Sequence, residues 1–266
     1  MLGKLLKYEI KATGRTFVPF YTALVVFALI TRIFSGFEGG NTVGNSEGFM
    51  VGISILVYTC LIVAIFVLTF VVMLQRFYKN LLSDEGYLMF TLPVQPYQHI
   101  LAKLITSLMW GVCSIIVTLL SVGVLVVNQA FFLELPDFFK ALWYALGQLG
   151  LYNWITFVEF FFLLFFGAIN GVLMLYASIA IGQQFGRHKL IASFGAFLAI
   201  QVVLQMLGSI FNDISGVNFN FAIAGVYSYT GHFNMAMLYG IIQSVVLSVV
   251  FFIVTNYLLN KRLNLE

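Results

Sequence analysis

One serine of this chain lies in a G-x-S-x-G pentapeptide, the motif that presents the nucleophile in many hydrolases. Residues 44–48 read GNSEG with Ser46 at the centre, and Asp213 and His232 follow in the order that a Ser-Asp-His triad requires. The motif works at a strained turn between a strand and a helix, whereas here it stands in a Gly- and Asn-rich stretch between two long apolar runs. This context disfavours an esterase.

The residues that serve metal and nucleotide chemistry form no recognisable pattern. His99, His188 and His232 stand apart, without an H-E-x-x-H pair or a carboxylate at helical spacing, so we interpret them as interfacial polar residues. Cys60 and Cys113 fall inside apolar runs, where they predict neither a disulfide nor a metal site. The sequence has no G-x-x-x-x-G-K-[ST] phosphate loop. We therefore expect this chain to be no enzyme and to bind no cofactor itself.

Polar residues inside the apolar runs form two short lines at helical spacing. Glu159 and Asn170 are eleven residues apart, which is three helical turns and one helix face. Gln201, Gln205 and Ser209 repeat every four residues. Such residues line a substrate path in some membrane proteins and hydrogen-bond across a seam between helices in others. Both interpretations stay open for Glu159, Asn170, Gln201 and Gln205.

The composition indicates whether the chain is surrounded by water or by lipid. Hydrophobic residues make up 61% of the 266 residues and charged residues 9%, and the mean hydropathy is +1.01. A soluble domain has about 25% charged residues, so this chain carries too little charge to cover a surface that faces water. The chain is therefore expected in lipid. Its net charge of +3 is spread over the ends of the apolar runs, which argues against a nucleic-acid partner.

Six apolar runs are long enough to cross a bilayer, whose hydrocarbon core of about 30 Å takes roughly 20 helical residues. The runs cover residues 17–34, 49–74, 104–127, 154–181, 190–211 and 235–259. They are continuous rather than alternating, so they predict helices and not the strands of a barrel. In the fourth run, Gly167 and Gly171 form a G-x-x-x-G pair that favours close helix packing. We predict an all-α polytopic membrane protein in which residues 1–266 form a single transmembrane domain.

The basic residues predict the orientation of the chain. Two of the thirteen, Arg32 and Lys140, fall in connections on one side of the membrane. The other eleven fall on the opposite side, at Lys4, Lys7, Lys11, Arg15, Arg76, Lys79, Lys103, Arg187, Lys189, Lys261 and Arg262. Because connections rich in Lys and Arg stay in the cytoplasm, both termini are expected there, with residues 1–16 as a basic lead-in helix. The predicted location is the cell membrane, as a multi-pass protein of a bacterial plasma membrane surrounded by lipid.

Two outer connections carry further predictions. In residues 128–150, Pro136 and Asp137 are expected to begin a short helix whose aromatic rings suit the level of the lipid headgroups. Residues 212–232 are rich in Gly and aromatic residues, and the sequence leaves open whether they re-enter the membrane.

The cytoplasmic connection 75–103 contains a capped and unusually apolar helix. Ser83 is suited to cap it, and Asp84 and Glu85 lie in its first turn, where the helix dipole favours anions. Pro93 ends it. The apolar positions in between are Leu88, Met89, Phe90 and Leu92. A polar loop would suffice to join two spans, so an amphipathic helix at this place predicts docking to another protein.

This connection resembles the coupling-helix region of ABC type-2 transporter permeases. The matching parts are EGYL at residues 85–88, TLPV at residues 91–94 and Lys103 at the start of the third span. The basic lead-in and the six spans with both ends inside are similar to that family over essentially the whole chain. The chain departs from the family at residues 95–97, QPY, where many members have a small hydroxyl and a basic residue. By this resemblance, the residues that contact the ATPase are Asp84, Glu85, Gly86, Tyr87, Leu88, Phe90, Leu92 and Pro93.

The resemblance implies that the chain is the membrane half of an exporter. Two permease chains, identical or paralogous, would pair around a central path, and each would contact a separate ABC ATPase subunit that holds ATP and Mg²⁺. The exported compound would be amphipathic or hydrophobic, such as a peptide or an antibiotic. Two alternatives stay open. One is an ATP-independent secondary transporter or channel with Glu159 as its coupling carboxylate, and the other is a membrane scaffold that transports nothing.

Overall fold

The computed structural model describes residues 2–37, 45–82, 95–126, 129–148, 151–185, 188–215 and 230–261. Over these ranges the chain is helical and has no strand. The helices in them are α1 (Leu2–Phe37), α2 (Asn45–Leu82), α3 (Pro96–Val126), α4 (Gln129–Gln148), α5 (Leu151–Gly182), α6 (Lys189–Ser215) and α7 (Thr230–Lys261).

Six helices of the described part are long and apolar enough to span a membrane. The spans are Leu2–Ile33, Gly52–Lys79, Pro96–Val126, Trp154–Gly182, Lys189–Ile210 and Met237–Asn260. They coincide with the six apolar runs found in the sequence, apart from their ends. The prediction of an all-helical, multi-pass membrane protein is confirmed.

Two helices differ in extent from the prediction. α1 runs without interruption from the basic lead-in into the span, although Pro19 lies inside it and removes the backbone hydrogen bond to the Arg15 carbonyl. α4 begins at Gln129 and includes Pro136, so the predicted start at Pro136 is wrong. Proline inside a helix is tolerated where water or neighbouring side chains bind the carbonyl that it frees.

The described helices group into two compact units. Unit 1 comprises Met1–Gln75 and Leu101–Tyr144, and unit 2 comprises Arg76–Ile100 and Ala145–Glu266. The boundary passes through α2 and α3, so residues 76–100 belong to unit 2, whereas Gln75 and Lys103 at the ends of the connection belong to unit 1.

The buried core of unit 1 lies between α1 and α2. Leu24 and Ala28 of α1 pack with Tyr58 and Ile65 of α2, and all four are at most 5% exposed. Partly buried residues of all three helices close around this core, namely Tyr21, Leu61, Ile62, Val117, Val124 and Leu125. α3 thus completes the core of unit 1.

In unit 2, α5 packs along α7 and α6. The approach to α7 is closest at Gly240, where an added Cβ atom would lie 2.9 Å from Leu163 Cδ1. Gly240, Ser244 and Ser248 are four residues apart and give α7 a line of small residues, which allows helices to approach each other in a membrane. At this point a small residue of α7 is therefore in contact with a larger residue of α5.

The hairpin between α5 and α6 depends on one glycine. A Cβ atom on Gly182 would overlap the backbone of Ser193, whereas a Cβ atom on Gly171 of the same helix would have no heavy atom of the described residues within 4 Å. Backbone atoms cannot move aside as a flexible side chain can, so Gly182→Ala must displace the start of α6. We expect Gly182→Ala to lower the melting temperature of the purified chain by several degrees and Gly171→Ala to leave it unchanged. Equal melting temperatures for the two variants would contradict this packing.

Candidate functional site

α3 carries four polar or aromatic residues on one face in unit 1. Lys103, Trp110, Ser114 and Ser121 are separated by seven, four and seven residues, which at 100° per residue places them within about 40° of one another. Each of them bonds to α1, to α2 or to both. We call this line of contacts the α3 seam.

The end of the α3 seam nearest the start of α3 is an ion pair that is almost fully buried. Lys103 Nζ lies 2.8 Å from Glu9 Oε1, and the two side chains are 3% and 11% exposed. Burying one charge without the other would cost several kcal/mol. The pair therefore fixes the first turns of α1 to the first turns of α3.

An aromatic layer follows two turns further along α3. Trp110 Nε1 donates a hydrogen bond to Thr13 Oγ1 at 2.7 Å. The ring of Trp110 also stacks on Phe17, with centroids 4.5 Å apart and 15° between the ring planes. Phe17 is fully buried. Glu9, Thr13 and Phe17 are four residues apart on α1, so they form one face that follows α3.

Hydroxyl groups continue the α3 seam toward the other end. Ser114 Oγ lies 2.8 Å from both Tyr21 Oη of α1 and Thr69 Oγ1 of α2, and thereby links all three helices. Ser121 Oγ lies 2.8 Å from Tyr58 Oη of α2. Hydrogen bonds between polar side chains of neighbouring helices stabilise helix packing in membranes, and each contributes about 0.6–2 kcal/mol.

The far end of the α3 seam closes on a backbone carbonyl. The guanidinium of Arg32 in α1 donates to the carbonyl oxygen of Val124, in the last turn of α3. A cation at this place also offsets the partial negative charge of the helix C-terminus. α1 and α3 are thus joined in parallel from Glu9 to Arg32, which makes them a stiff pair.

Glu159 lies in a different seam, on the face of α5 that meets α7 in unit 2. Thr156, three residues earlier, donates a 2.6 Å hydrogen bond to Asn234 of α7, and Leu163, four residues later, contacts Gly240. Glu159 is 7% exposed, and its Oε2 atom has no hydrogen-bond partner among the described residues. A carboxyl group there can accept a proton or bind a donor from a ligand.

The other three residues predicted for a substrate path are spread over α5 and α6. Asn170 is half-buried on the same face of α5 but lies about 16 Å further along the helix axis, and its Oδ1 atom has no partner among the described residues. Gln201 and Gln205 are exposed on α6. A common substrate path through these four residues stays a prediction.

With this geometry established, the chain can be compared with known proteins. No protein-family model matches it, and no curated protein or solved structure is significantly similar to it. The resemblance seen at residues 85–94 therefore stays a prediction.

The predicted ATPase contacts, Asp84, Glu85, Gly86, Tyr87, Leu88, Phe90, Leu92 and Pro93, lie outside the described residues. The helix ends on either side are described. Before them, Phe77 in the last turns of α2 stacks on Tyr176 of α5, with centroids 4.0 Å apart and 6° between the planes. After them, Gln95 accepts a 2.9 Å bond from the amide of Gln98 at the start of α3. The end of α2 that leads into the 83–94 segment is therefore anchored on α5.

Two features of the site escaped the sequence analysis. Lys103 was counted for topology and Glu9 was not singled out, because nothing local shows that residues 94 apart form a pair. The G-x-x-x-G pair at Gly167 and Gly171 predicted close packing, but added Cβ atoms there would have no neighbour within 4 Å in the described part, whereas Gly240 is in close contact. The repeat of small residues after Gly240 was the available signal.

The described residues also offer no set of metal ligands. No group of three or more His, Cys, Asp or Glu side chains in these ranges is close enough to hold an ion. What the two seams can do chemically is hold helices together and, at Glu159, present a buried carboxyl group.

Proposed function

We propose that this chain is the membrane-spanning permease subunit of an ABC transporter, with both termini in the cytoplasm. The observation that carries the proposal is the position of the segment that resembles a coupling helix. It joins the second and third of six apolar helices and runs to Lys103, the residue that opens the α3 seam. A docking segment at that place is joined directly to a stiff helix pair.

In this function the chain transmits motion and forms the path, while a separate subunit hydrolyses ATP with Mg²⁺. Movement of the 83–94 segment would be passed to α3 through the chain itself. α1 would follow, because the bonds from Glu9 to Arg32 join it to α3 along the span. A second permease chain, identical or paralogous, would complete the path, and an amphipathic or hydrophobic compound such as a peptide or antibiotic would be exported.

The direct test is whether an ATPase accompanies the chain. The tagged chain is purified from its native membrane in mild detergent, and its companions are identified by mass spectrometry. We expect a stoichiometric subunit with a phosphate-binding loop and measurable ATP hydrolysis. Isolation of the chain without such a subunit, in a detergent that preserves its fold, would contradict the proposal.

One observation favours a second candidate, an ATP-independent proton-coupled transporter. Glu159 is buried inside a span, and one of its carboxylate oxygens has no hydrogen-bond partner among the described residues. Ionisable groups in this situation often carry protons in transporters. The permease proposal instead treats Glu159 as part of the seam with α7.

Substitution of Glu159 separates these two functions. The purified chain is placed alone in liposomes that contain a pH-sensitive dye, and a membrane potential is imposed. As a permease subunit it should show no proton flux, and Glu159→Gln should change neither this result nor the melting temperature, because glutamine preserves the shape. Glu134→Gln on an exposed face of α4 is the matched control. Proton uptake that Glu159→Gln abolishes and Glu134→Gln spares would favour the secondary transporter.

A further inference from the structure

The first four turns of α1 present four basic side chains on one exposed face. Lys4, Lys7, Lys11 and Arg15 are all exposed, and their spacing places them within an arc of about 80°. Tyr8 lies on the same side and is 70% exposed. We call these five residues the basic face of α1.

The direction of the basic face is fixed by the opposite side of the same helix. Glu9, Thr13 and Phe17 lie about half a turn away and are held by Lys103 and Trp110 of α3. α1 therefore cannot rotate its basic residues toward α3. These residues point away from the helix that α1 packs against.

The charge of the basic face is not balanced within α1. Glu9 is the sole acidic residue between positions 2 and 37, and its carboxylate faces Lys103. Four positive charges thus remain on one side of a helix that enters the membrane. Such a surface attracts anions, and the attraction acts over about 8–10 Å at ordinary ionic strength.

The depth of the basic face matches the headgroup layer. The apolar part of α1 begins at Phe17, two residues after Arg15, and Lys4 lies about 16 Å before Arg15 along the axis. A bilayer extends several Å beyond its hydrocarbon core on each side, since the whole is about 40–45 Å thick and the core about 30 Å. The four cations therefore extend from the headgroups to the adjoining water, and an exposed tyrosine is typical of that depth.

We propose that the basic face of α1 binds the anionic phospholipid headgroups of the cytoplasmic leaflet. The inference uses the cytoplasmic orientation proposed above but requires neither an ATPase nor a transported compound. A lipid partner is favoured over an acidic protein because the charges are continuous with a membrane span and occur at headgroup depth beside Tyr8. Each basic residue near an anionic membrane surface strengthens binding by about fivefold.

Binding is measured on the purified full-length chain by native mass spectrometry, titrating phosphatidylglycerol against phosphatidylcholine. We expect the wild-type chain to prefer phosphatidylglycerol. A single Lys7→Gln or Lys11→Gln change should weaken that binding about fivefold, and the combined Lys4, Lys7, Lys11 and Arg15→Gln variant should lose the preference. A variant with Lys4, Lys7 and Lys11→Arg should keep it, as should Lys140→Gln, which removes an exposed cation from α4.

Three outcomes would overturn the proposal. In the first, the wild-type chain binds both lipids equally or the combined variant keeps its preference. In the second, inorganic phosphate at millimolar concentration displaces phosphatidylglycerol completely, which would identify a free-anion site. In the third, the combined variant loses its protein partner with lipid binding unchanged, so that the face serves a protein. The melting temperature of each variant is checked first. Because no ATPase is present in the titration, its result does not depend on whether the permease proposal holds.

Discussion

Replacing both Leu88 and Phe90 by aspartate is expected to abolish association with the ATPase while leaving the chain in the membrane at its normal level. The two residues belong to the segment between α2 and α3, which is predicted to be cytoplasmic and lies outside every candidate span. Insertion should therefore proceed. In a docked interface, however, each aspartate would bury a charge without a partner, which costs several kcal/mol.

The measurement is co-purification of the ATPase subunit with the tagged chain, followed by its ATP hydrolysis. Phe138→Asp with Phe139→Asp is the matched control, because these two aromatic residues are exposed on α4. The control is expected to retain the ATPase at wild-type stoichiometry. If the Leu88 and Phe90 variant also retains the ATPase, the coupling role of this segment is wrong, and the secondary transporter becomes the favoured function.

Removal of Lys103 is expected to destabilise the folded chain by about 3–5 kcal/mol, because it leaves the Glu9 carboxylate buried without that lysine. Lys103→Met preserves most of the side-chain volume, so the effect reports the charge. Glu9→Gln should destabilise less, since glutamine can still accept a hydrogen bond from the lysine. The double variant should be more stable than the sum of the two single effects predicts, because neither charge then remains.

Thermal unfolding in detergent provides the measurement for all three variants. Lys140→Met is the control, because its pair with Asp137 is 78% exposed on both sides and exposed pairs stabilise little. Additive effects of Glu9→Gln and Lys103→Met, or a Lys103→Met variant that melts with the wild type, would show that the pair does not hold α1 to α3.

The six spans could be predicted from the sequence because the signal is local. About 20 consecutive apolar residues must cross the bilayer as a helix, whatever the rest of the chain does. The same local signal does not define the residue at which a helix begins or ends. Pro136 is typical of a helix start, yet α4 begins seven residues earlier and includes this proline.

The partners of the polar residues could not be predicted in this way. Glu9 and Lys103 have ordinary local surroundings, and their pairing depends on α1 and α3 lying side by side in parallel. Glu159 was correctly singled out as a costly residue to leave in lipid, and the structure buries it. The sequence alone could not show that its helix face meets α7 or that Gln201 and Gln205 are exposed on α6.

Because α1 pairs with α3, the first helix is synthesised well before the helix that it packs against. Glu9 and Lys103 are 94 residues apart, and a ribosome adds about 5–20 residues per second, so the first helix is made about 5–20 s before its partner. During that interval α2 emerges, and Glu9, Thr13 and Tyr21 lack the groups of α3 that bind them in the finished chain. The first helix therefore gains these contacts only after the third has been made. A chain that terminates before Lys103 would carry a carboxylate without that lysine at the membrane boundary, which gives quality control a chemical mark of an unfinished protein.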